Sequence, residues 1–549
     1  MSGPGALSIP HAAGAVDDEL AVFCSELVTR SGVAEHAEAL LARSTGRPRS
    51  VSVHALLTAL VCLALEGRAL LLTNVTDLLW RRFSDRVRAE IATVGPPLDR
   101  RGFLARYRCV RYCFHLLVST MDPSSLPKNR RLSEADLAER TRRLSPEEQA
   151  EARCRLEATV NAFIEASLST MTDAERSALS GAAGLDATCV ALFSRGPSTR
   201  SGLCASDPDG GWYIRHGDHR DVEGPGGKGL ARIAFALEAT ICTAAPTEPG
   251  RASAAPNLVL GAALERPGID PAGTGVRVLA SVVGRGHRTG PLGADRAYSA
   301  ARPERFHLPA RSLGFTPVMD YRIDQLGIQA QSNGALLIEG AWHCPGTPAP
   351  LISATKDWRA GTIDRETFEA RIGARATYRL RRTEGPDRDG YERHRCPALG
   401  ASAGLACPLR PCATPARDGR PRVLEVPAEP AKVCTQTAVT IAPDVGARHR
   451  QDLAFGSEEW ARTYATLRNT IEGLNGYVKD PAHEALGAPA RRRVRGIAAQ
   501  SVFCGILLAA ANVRRLRAHR EMVTSGTAAT SVERARRRRT SLADFRPSG

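Results

Sequence analysis

Lysine and aromatic residues are scarce in this sequence of 549 residues. Only five of its 74 basic residues are lysines, and aromatic residues make up 5% of the chain. Together with abundant alanine, glycine, proline and arginine, this composition indicates a GC-rich coding bias. The number of arginines is therefore weak support for any function, whereas each remaining lysine gains interest. The five lysines are Lys128, Lys228, Lys356, Lys432 and Lys479.

The sequence also lacks a clear membrane span. His54–Leu65 is too short to cross a bilayer, and Ile497–Val513 is interrupted by three polar residues, so we predict a buried helix there. Residues 1–20 are small, polar and acidic, unlike a secretory signal. Fourteen cysteines without such a signal indicate reduced thiols. We therefore expect a cytoplasmic protein, associated with the bacterial nucleoid if it binds DNA, with no membrane partner.

Several short motifs do not match the sequence signature of a known type of binding site. We find no internal repeat. Gly224–Gly229 contains Gly-Gly-Lys-Gly but lacks the spacing of a phosphate-binding loop, which excludes that mode of nucleotide binding. Lys228 within it remains a candidate for contact with DNA. A polar loop contains His216, Asp218, His219 and Asp221. The favoured interpretation is that these are the polar residues usual in a turn and not metal ligands.

The cysteines of residues 321–450 raise the question of a zinc site. Cys396, Cys407 and Cys412 follow a C-x10-C-x4-C spacing, and Cys344 or Cys434 would be a fourth ligand. Structural zinc sites more often use paired C-x2-C knuckles. The sequence therefore favours scattered free thiols over zinc.

The formal charge of +16 and the pI of about 9.6 favour a polyanionic partner. Neutralising phosphates releases condensed counterions, which makes nucleic acid the favoured partner. An anionic membrane surface or simple solubility remains an alternative explanation of the charge.

The hydrophobic pattern changes along the chain and predicts a mixed α/β protein. Helical spacing dominates the first 120 residues. We predict strands at Leu185–Phe193, Ile233–Ile241 and Phe315–Asp320, and a strand with its exit at Gly293–Tyr298. We also predict a helix at Val276–Val283, strand-like pieces at Ala335–Ile338 and Ala376–Arg381, and helices between Glu458 and His519.

We divide the chain into six segments on this basis. Residues 1–120 are a helical N-terminal DNA-binding region and 121–178 a helical linker. Residues 179–320 are the first part of the core, 321–455 an inserted β-rich or irregular subdomain, and 456–520 the second part of the core. Residues 521–549 are a basic tail, predicted to be disordered, that contains Arg534 and Arg536–Arg539.

Three carboxylates stand out by their context. Asp186 lies near the start of an apolar strand, and Asp295 lies at the end of another, where side chains converge at the mouth of an α/β sheet. Glu472 lies in a helix and shares one face with Arg468, Asn475 and Lys479, at spacings of i−4, i+3 and i+7. Carboxylates are the ligands that Mg²⁺ prefers, and two such ions promote phosphodiester cleavage.

These elements resemble bacterial insertion-sequence transposases of the DDE type. The resemblance rests on the Gly-Leu-Asp-Ala-Thr strand around Asp186, the Ala-Asp-Arg-Ala-Tyr element around Asp295 and a Tyr-x3-Arg-x3-Glu-x6-Lys helix. It covers about residues 50–520 and includes the basic segment Arg491–Gly496. It implies a ribonuclease H-like core with an insertion before the glutamate helix.

The resemblance also implies an activity and its residues. Asp186, Asp295 and Glu472 would hold two Mg²⁺ ions, for which Mn²⁺ can substitute, and would cleave DNA and transfer the strand. The partners implied are double-stranded DNA, as transposon ends and as target, and a second copy of the chain in a homodimer on DNA. The residues expected to contact DNA are Tyr464, Arg468, Lys479, Arg491, Arg492, Arg493 and Arg495.

Simpler interpretations of the three acids remain. Asp186 would be an ordinary strand-end residue, Asp295 a helix N-cap, and Glu472 the partner of Arg468 in an i,i+4 surface pair. The corresponding functions are a transposase-derived DNA-binding protein without activity and a metal-dependent nuclease without strand transfer.

Overall fold

The structure is a computed structural model that describes residues 14–42, 49–91, 100–197, 202–216, 230–246, 255–400, 403–410, 420–426 and 428–525. Some sequence predictions lie outside these residues. They concern Asp218, His219, Asp221, Lys228, Cys412 and the arginines of the tail.

The N-terminal part is helical, as predicted. Its third helix, α3, is apolar almost all round and is buried among its neighbours, since its residues pack on α1, α6 and the last helix of the chain. Serine and threonine side chains cap several of the helices at their first turn. The helices are α1 (Asp18–Ser31), α2 (Val33–Leu41), α3 (Val53–Leu65), α4 (Leu72–Asp77, continued by a π-helical turn to Arg82), α5 (Asp85–Glu90), α6 (Arg100–Ser119), α7 (Glu134–Arg142), α8 (Pro146–Leu168) and α9 (Asp173–Ser177).

A six-stranded mixed sheet follows. Its members, with the helices between them, are β1 (Ala183–Ala191), β2 (Gly211–His216), β3 (Leu230–Ala244), β4 (Val259–Glu265), α10 (Pro271–Gly284), β5 (Pro291–Ala294), α11 (Arg296–Ser299), α12 (His307–Ser312) and β6 (Thr316–Val318). The order is β2-β3-β1-β5-β6, and β4 also pairs with β3. β3 is antiparallel to β1, β2 and β4, whereas β1, β5 and β6 are parallel.

The predicted mixed α/β class is confirmed, with differences in detail. Within Gly293–Tyr298, predicted as a strand and its exit, the strand ends at Ala294 and the exit is a short helix. β2 and β4 were not predicted. β4 is buried along nearly its whole length, so its apolar run lacks the alternation that marks a half-exposed strand.

Residues 319–457 form the insertion, which has small hydrophobic cores of its own. Two antiparallel three-stranded sheets are present, β7-β8-β9 and β10-β11-β12. The strands and helices are β7 (Ile328–Ser332), β8 (Ala335–Ile338), β9 (Ala341–His343), α13 (Ala349–Ile352), α14 (Ala354–Arg359), α15 (Arg365–Ala376), β10 (Arg381–Arg382), β11 (Glu392–Arg395), α16 (Lys432–Thr435) and β12 (Val439–Ile441).

One predicted strand of the insertion is confirmed and one is confirmed in part. The strand Ala335–Ile338 is present as β8. In the strand-like piece Ala376–Arg381, Ala376 is the last residue of α15, whereas Arg379 forms an antiparallel bridge with His343 and Arg381 begins β10. Asp364 caps that helix by accepting a hydrogen bond from the Thr367 amide, which starts a helical segment just before the predicted strand.

The chain returns to the main sheet with two long helices, α17 (Glu458–Lys479) and α18 (Ile497–Thr524). α18 is, by length and composition, apolar enough to cross a membrane, but 94% of its most apolar window is buried inside the protein. It packs on α8, α3 and β4. The prediction of a buried helix at Ile497–Val513 is confirmed.

Candidate functional site

Two of the three predicted acids lie at the same level of neighbouring strands, Asp186 within β1 and Asp295 directly after β5. In the parallel pair of β1 and β5, Leu185 is the partner of Ala294. Asp186 is the next residue after Leu185, and Asp295 is the next residue after Ala294. The pairing register therefore brings these two aspartates, 109 positions apart, side by side at one place on the sheet.

Alternation along β1 determines which face of the sheet Asp186 occupies. Leu185 faces α10, because a methyl group added to Gly275 of that helix would meet the Leu185 side chain. Gly184 faces α17, because an added Cβ would overlap the Ile471 side chain. Neighbouring residues of a strand point to opposite faces. Asp186 therefore shares the α17 face with Gly184.

Helix α17 lies directly on β1 and β5 because both strands carry glycine beneath it. A Cβ added to Gly293 would lie 2.7 Å from Cβ of Leu467, and a Cβ added to Gly184 would lie 3.5 Å from the Leu467 carbonyl oxygen. A larger residue at either glycine would lift the helix from the sheet. The two glycines therefore set the close approach that carries the third acid to the sheet.

The helix is also tied to Asp186 by a side-chain contact. The Asn475 amide nitrogen donates to Oδ2 of Asp186 at 2.7 Å. Glu472 lies three positions before Asn475, and residues at that spacing are neighbours on a helix surface. Glu472 itself accepts a hydrogen bond of 2.8 Å from Nε of Arg468, and 60% of its side chain is exposed. Asn475 is therefore the residue of this helix face that contacts Asp186, whereas Glu472 is paired with Arg468.

The pKa of the Tyr298 phenol depends on the negative charges near this site. Its ring is buried and its hydroxyl lies 3.3 Å from the Thr240 hydroxyl. Burial raises the pKa of the Tyr298 phenol well above its usual range, and the negative charges of Asp186, Glu238 and Asp295 raise it further. The charges of both predicted aspartates therefore affect the pKa of this one phenol.

The donor set has the chemistry that a hard cation requires, but the three carboxylates do not form a ready coordination sphere. Among the described residues, no three His, Cys, Asp or Glu side chains make a group that could hold a metal ion. The Glu472 carboxylate is directed at Arg468. Binding Mg²⁺ here requires Glu472 to exchange Arg468 for the ion, a rotamer change of an exposed side chain.

The predicted DNA-contacting residues of α17 have different surroundings. Arg468 is half exposed, and Lys479 is the partly buried last residue of the helix. Tyr464 stacks on Trp460 with ring centroids 5.2 Å apart. Burial lowers the pKa of Arg468, but its hydrogen bond with Glu472, followed by the charge and the hydrogen bond of Tyr464, raises that pKa above its usual range. Glu472 and Tyr464 are therefore both partners of Arg468.

The basic segment after α17 separates into buried and accessible arginines. Arg493 is exposed, and its guanidinium lies over the Phe193 ring at 5.2 Å. Arg491 is partly buried and donates to the carbonyl oxygens of Pro481 and Gly67. Arg495 is also partly buried. These three remain candidates for phosphate contact.

Arg492 requires a correction. Its side chain is buried, and its guanidinium donates to the carbonyl oxygens of Ala485 and Leu486 at 3.0 and 2.8 Å. Burial lowers the pKa of Arg492 to about 10. Its position does not suit the predicted contact with DNA, because the side chain stabilises the turn between α17 and α18. A run of arginines in the sequence does not reveal which member turns inward.

Two residues of the site were not assigned a role from the sequence. Asn475 was placed on the Glu472 face by its spacing, but its partner lies 289 positions earlier and becomes visible only in the tertiary structure. Tyr298 belongs to the Ala-Asp-Arg-Ala-Tyr element and packs under the aspartates. Its position in that element was the sequence feature that could have pointed to Tyr298 as a residue of the site.

Comparison of the chain with protein-family models, with curated proteins and with solved structures finds no match.

Proposed function

We propose that this protein is a DNA transposase that cleaves and joins DNA with metal ions held by Asp186, Asp295 and Glu472. The observation that carries the proposal is the register of β1 and β5, with Leu185 opposite Ala294, under a helix that contacts Asp186. Three segments far apart in sequence thereby contribute one acid each to a single region.

The sheet supports a ribonuclease H-like core for the same protein. The strand that carries Asp186 lies in the middle, with an antiparallel neighbour on one side and a parallel one on the other. The insertion between β6 and α17 agrees with the arrangement that the resemblance implies. The proposed metal site then lies where β1, β5 and α17 meet.

The donor set suits Mg²⁺ or Mn²⁺. Two such ions, when bound, would activate the attacking oxygen and stabilise the leaving oxygen of a phosphodiester. Asp186, Asp295 and Glu472 would hold these ions through their carboxylates. Asn475 would hold the Asp186 carboxylate in a fixed rotamer through its 2.7 Å hydrogen bond.

Arg468 would have two successive roles. Without metal it neutralises Glu472. If Glu472 held an ion instead, the guanidinium of Arg468 would be available to a DNA phosphate, with which a planar guanidinium can form two parallel hydrogen bonds. This exchange would couple metal binding to DNA binding. Lys479, two turns beyond Glu472 or about 10 Å along the axis, would contact a flanking phosphate.

The partners follow from this chemistry. Double-stranded DNA would be bound as transposon ends and then as target, and the net charge of +16 favours such a polyanion. Joining two ends requires two copies of the site, so the working form would be a homodimer on DNA in a bacterial cytoplasm.

The test is a cleavage assay on a plasmid that carries the gene with its natural flanking DNA. With Mg²⁺ or Mn²⁺ we expect the purified full chain to release 3′ hydroxyl groups at the element boundaries and to join them to a second plasmid. Glu472→Gln keeps the size of the side chain and removes its charge, so cleavage should fall by several orders of magnitude while DNA binding is retained.

Glu459→Gln is the matched control, since Glu459 is an exposed acid in the first turn of the same helix. It should cleave at the native rate. Normal cleavage by Glu472→Gln would remove Glu472 from the site. Cleavage without joining would favour a nuclease, and DNA binding without cleavage in either metal would favour a DNA-binding protein that lacks activity.

A further inference from the structure

Helix α6 separates apolar residues from basic residues around its circumference. It spans 20 residues and packs on α3, α4 and α18. Residues spaced by three, four or seven positions share one face of a helix. The residues of α6 that form its buried face have these spacings, and they are Phe103, Val110, Cys113, Phe114 and Leu117.

The opposite face of α6 is exposed and basic. Arg101, Arg108 and His115 are exposed and follow one another at intervals of two helical turns. They form a row about 21 Å long. Arg111 and Tyr112 are also exposed and lie beside this row. We call these five residues the basic face of α6.

The charge of the basic face is not balanced within the part of the chain that the structure describes. α6 contains five arginines and no aspartate or glutamate. Among the described residues, Arg101, Arg108 and Arg111 take part in no ion pair and no side-chain hydrogen bond. Arg108 and Arg111 lie three positions apart, and like charges at that spacing on a helix repel each other. An anionic partner would relieve this repulsion.

Other arginines in and near α6 have partners within the protein. The next helix, α7, carries three acids beside its two arginines, and Arg143 after it pairs with Glu139. Within α6 itself, Arg106 is partly buried, and its guanidinium lies over the Trp80 ring at 5.3 Å. The unpaired arginines of the basic face are therefore not a simple consequence of an arginine-rich composition.

The buried face attaches α6 to the core of the protein. Phe114 of α6 contacts Phe503 of α18, with ring centroids 5.3 Å apart, and both residues belong to the main hydrophobic core. Phe503 lies in the second turn of α18, the helix that follows the basic segment Arg491–Gly496. A partner bound to the basic face would therefore be held at a defined position relative to that core.

The shape and charge of the basic face fit double-stranded DNA better than a membrane. A helix that binds a membrane surface inserts an exposed apolar face among the lipids, whereas the apolar face of α6 is buried in the protein. An α-helix is about 10–12 Å in diameter and fits the major groove of DNA, which is about 12 Å wide. Guanidinium groups pair with phosphates through two parallel hydrogen bonds. These features favour double-stranded DNA as the partner.

We infer that the basic face of α6 is a docking surface for double-stranded DNA, on which Arg101, Arg108 and Arg111 bind backbone phosphates. Such contacts fix the position of a duplex without reading its sequence. Tyr112 and His115 would lie against the same duplex. The inference rests on the proposed function for its partner, which is DNA, but it depends neither on the metal site nor on cleavage.

The test measures the affinity of the full chain for a labelled duplex by fluorescence anisotropy. The probe is a duplex of about 30 base pairs, or about three helical turns, taken from the DNA that flanks the gene. EDTA in the buffer prevents metal-dependent cleavage. The triple variant Arg101→Ala Arg108→Ala Arg111→Ala should lower the slope of log affinity against log salt by about 3, since each phosphate contact contributes about 0.9. At about 0.1 M salt its affinity should be roughly 100-fold lower.

The matched control removes the same charge from α7 and the residue after it. Arg140→Ala Arg142→Ala Arg143→Ala replaces three exposed arginines and should keep the native slope. Thermal unfolding checks the fold, and both triple variants should melt close to the unmodified chain because the substituted side chains are exposed. If the α6 triple variant does not fold, Arg108→Ala alone should lower the slope by about 1, and Arg108→Lys should retain it.

The possible outcomes separate this inference from the proposed function. An equal loss of slope in the two triple variants would reveal a general effect of net charge and would overturn the inference, as would a native slope in the α6 variants. Binding through α6 to phosphatidylserine vesicles but not to the duplex would also overturn it. A chain that binds the duplex through α6 but never cleaves DNA would uphold the inference and refute the proposed transposase.

Discussion

The Asn475 amide nitrogen lies 2.7 Å from Oδ2 of Asp186, to which it donates a hydrogen bond across 289 positions of sequence. This contact fixes α17 against β1 at the level of the candidate metal site. It also fixes the orientation of one carboxylate before any ion binds. Substitutions of Asn475 therefore test both the fold and the proposed metal site.

Asn475→Asp should place two carboxylates in contact and make stability depend on divalent cations. Repulsion between like charges should lower the free energy of unfolding by about 1–3 kcal/mol at pH 8. Lowering the pH or adding Mg²⁺ should restore part of it. Asn475→Ala loses only a hydrogen bond, about 1 kcal/mol, with no recovery in Mg²⁺. Urea unfolding at pH 5 and 8 measures both, and equal losses in the two variants would contradict the contact.

Gly184→Ala should separate α17 from the sheet. The added methyl group would overlap the Ile471 side chain, so we expect a loss of about 1–3 kcal/mol in unfolding free energy and a larger loss of metal-dependent cleavage. Gly473→Ala is the matched control on α17 itself, because an added Cβ there meets no atom within 4 Å. It should gain about 0.5–1 kcal/mol from helix propensity. A neutral Gly184→Ala would contradict the close packing.

Arg492→Ala should change stability, whereas Arg493→Ala should change the salt dependence of DNA binding. Removing Arg492 leaves the buried carbonyl oxygens of Ala485 and Leu486 without its hydrogen bonds, at a cost of about 1–3 kcal/mol in unfolding free energy. Removing exposed Arg493 should leave stability unchanged. Instead, the slope of log affinity for DNA against log salt should fall by about 1. DNA affinity should be measured from 50 to about 300 mM salt. A change in the slope of log affinity against log salt for Arg492→Ala alone would contradict this assignment.

Asp207 should make stability depend on pH at the start of α18. It accepts hydrogen bonds of 3.1 and 3.2 Å from the Gly496 amide. Burial raises the pKa of Asp207 to about 6, and the charge of Asp209 adds to this. The unfolded chain has a carboxyl pKa of about 3.9. The folded protein therefore binds the proton more tightly, and the cost of ionising Asp207 appears as pH rises from about 4 to 6.

Asp207→Asn should remove that cost. Relative to the unmodified chain, the variant should gain about 1–3 kcal/mol above pH 6 and show little gain below about pH 4. Urea unfolding across this pH range measures the difference between the two proteins. A difference that does not change with pH would contradict the raised pKa of Asp207.

Periodicity in the sequence was sufficient for the long helices and for the face of α17 that carries Glu472. The apolar run that begins beside Asp186 and the short run that ends before Asp295 also located β1 and β5. The pairing of those two strands could only be expected from the resemblance, because register depends on contacts between segments about 100 residues apart. β4 was missed because a fully buried strand does not alternate.

The insertion shows a second limit. Cys344, Cys396 and Cys407 come from separate segments of the chain and share one hydrophobic cluster in the fold, which their spacing in the sequence does not reveal. Arg492 shows the reverse case, since its basic neighbours suggested DNA contact while backbone carbonyl groups take up its guanidinium.

The most direct test of the central claim locates a metal ion without any knowledge of the DNA substrate. Fe²⁺ would replace Mg²⁺ in the full chain, and ascorbate with peroxide would generate radicals that cut the backbone near the ion. The account predicts cuts close to Asp186, Asp295 and Glu472 in the same sample, suppressed by excess Mg²⁺ and absent from the Asp186→Asn Asp295→Asn variant. Cuts at only one of the three positions, or none that Mg²⁺ suppresses, would contradict a shared metal site.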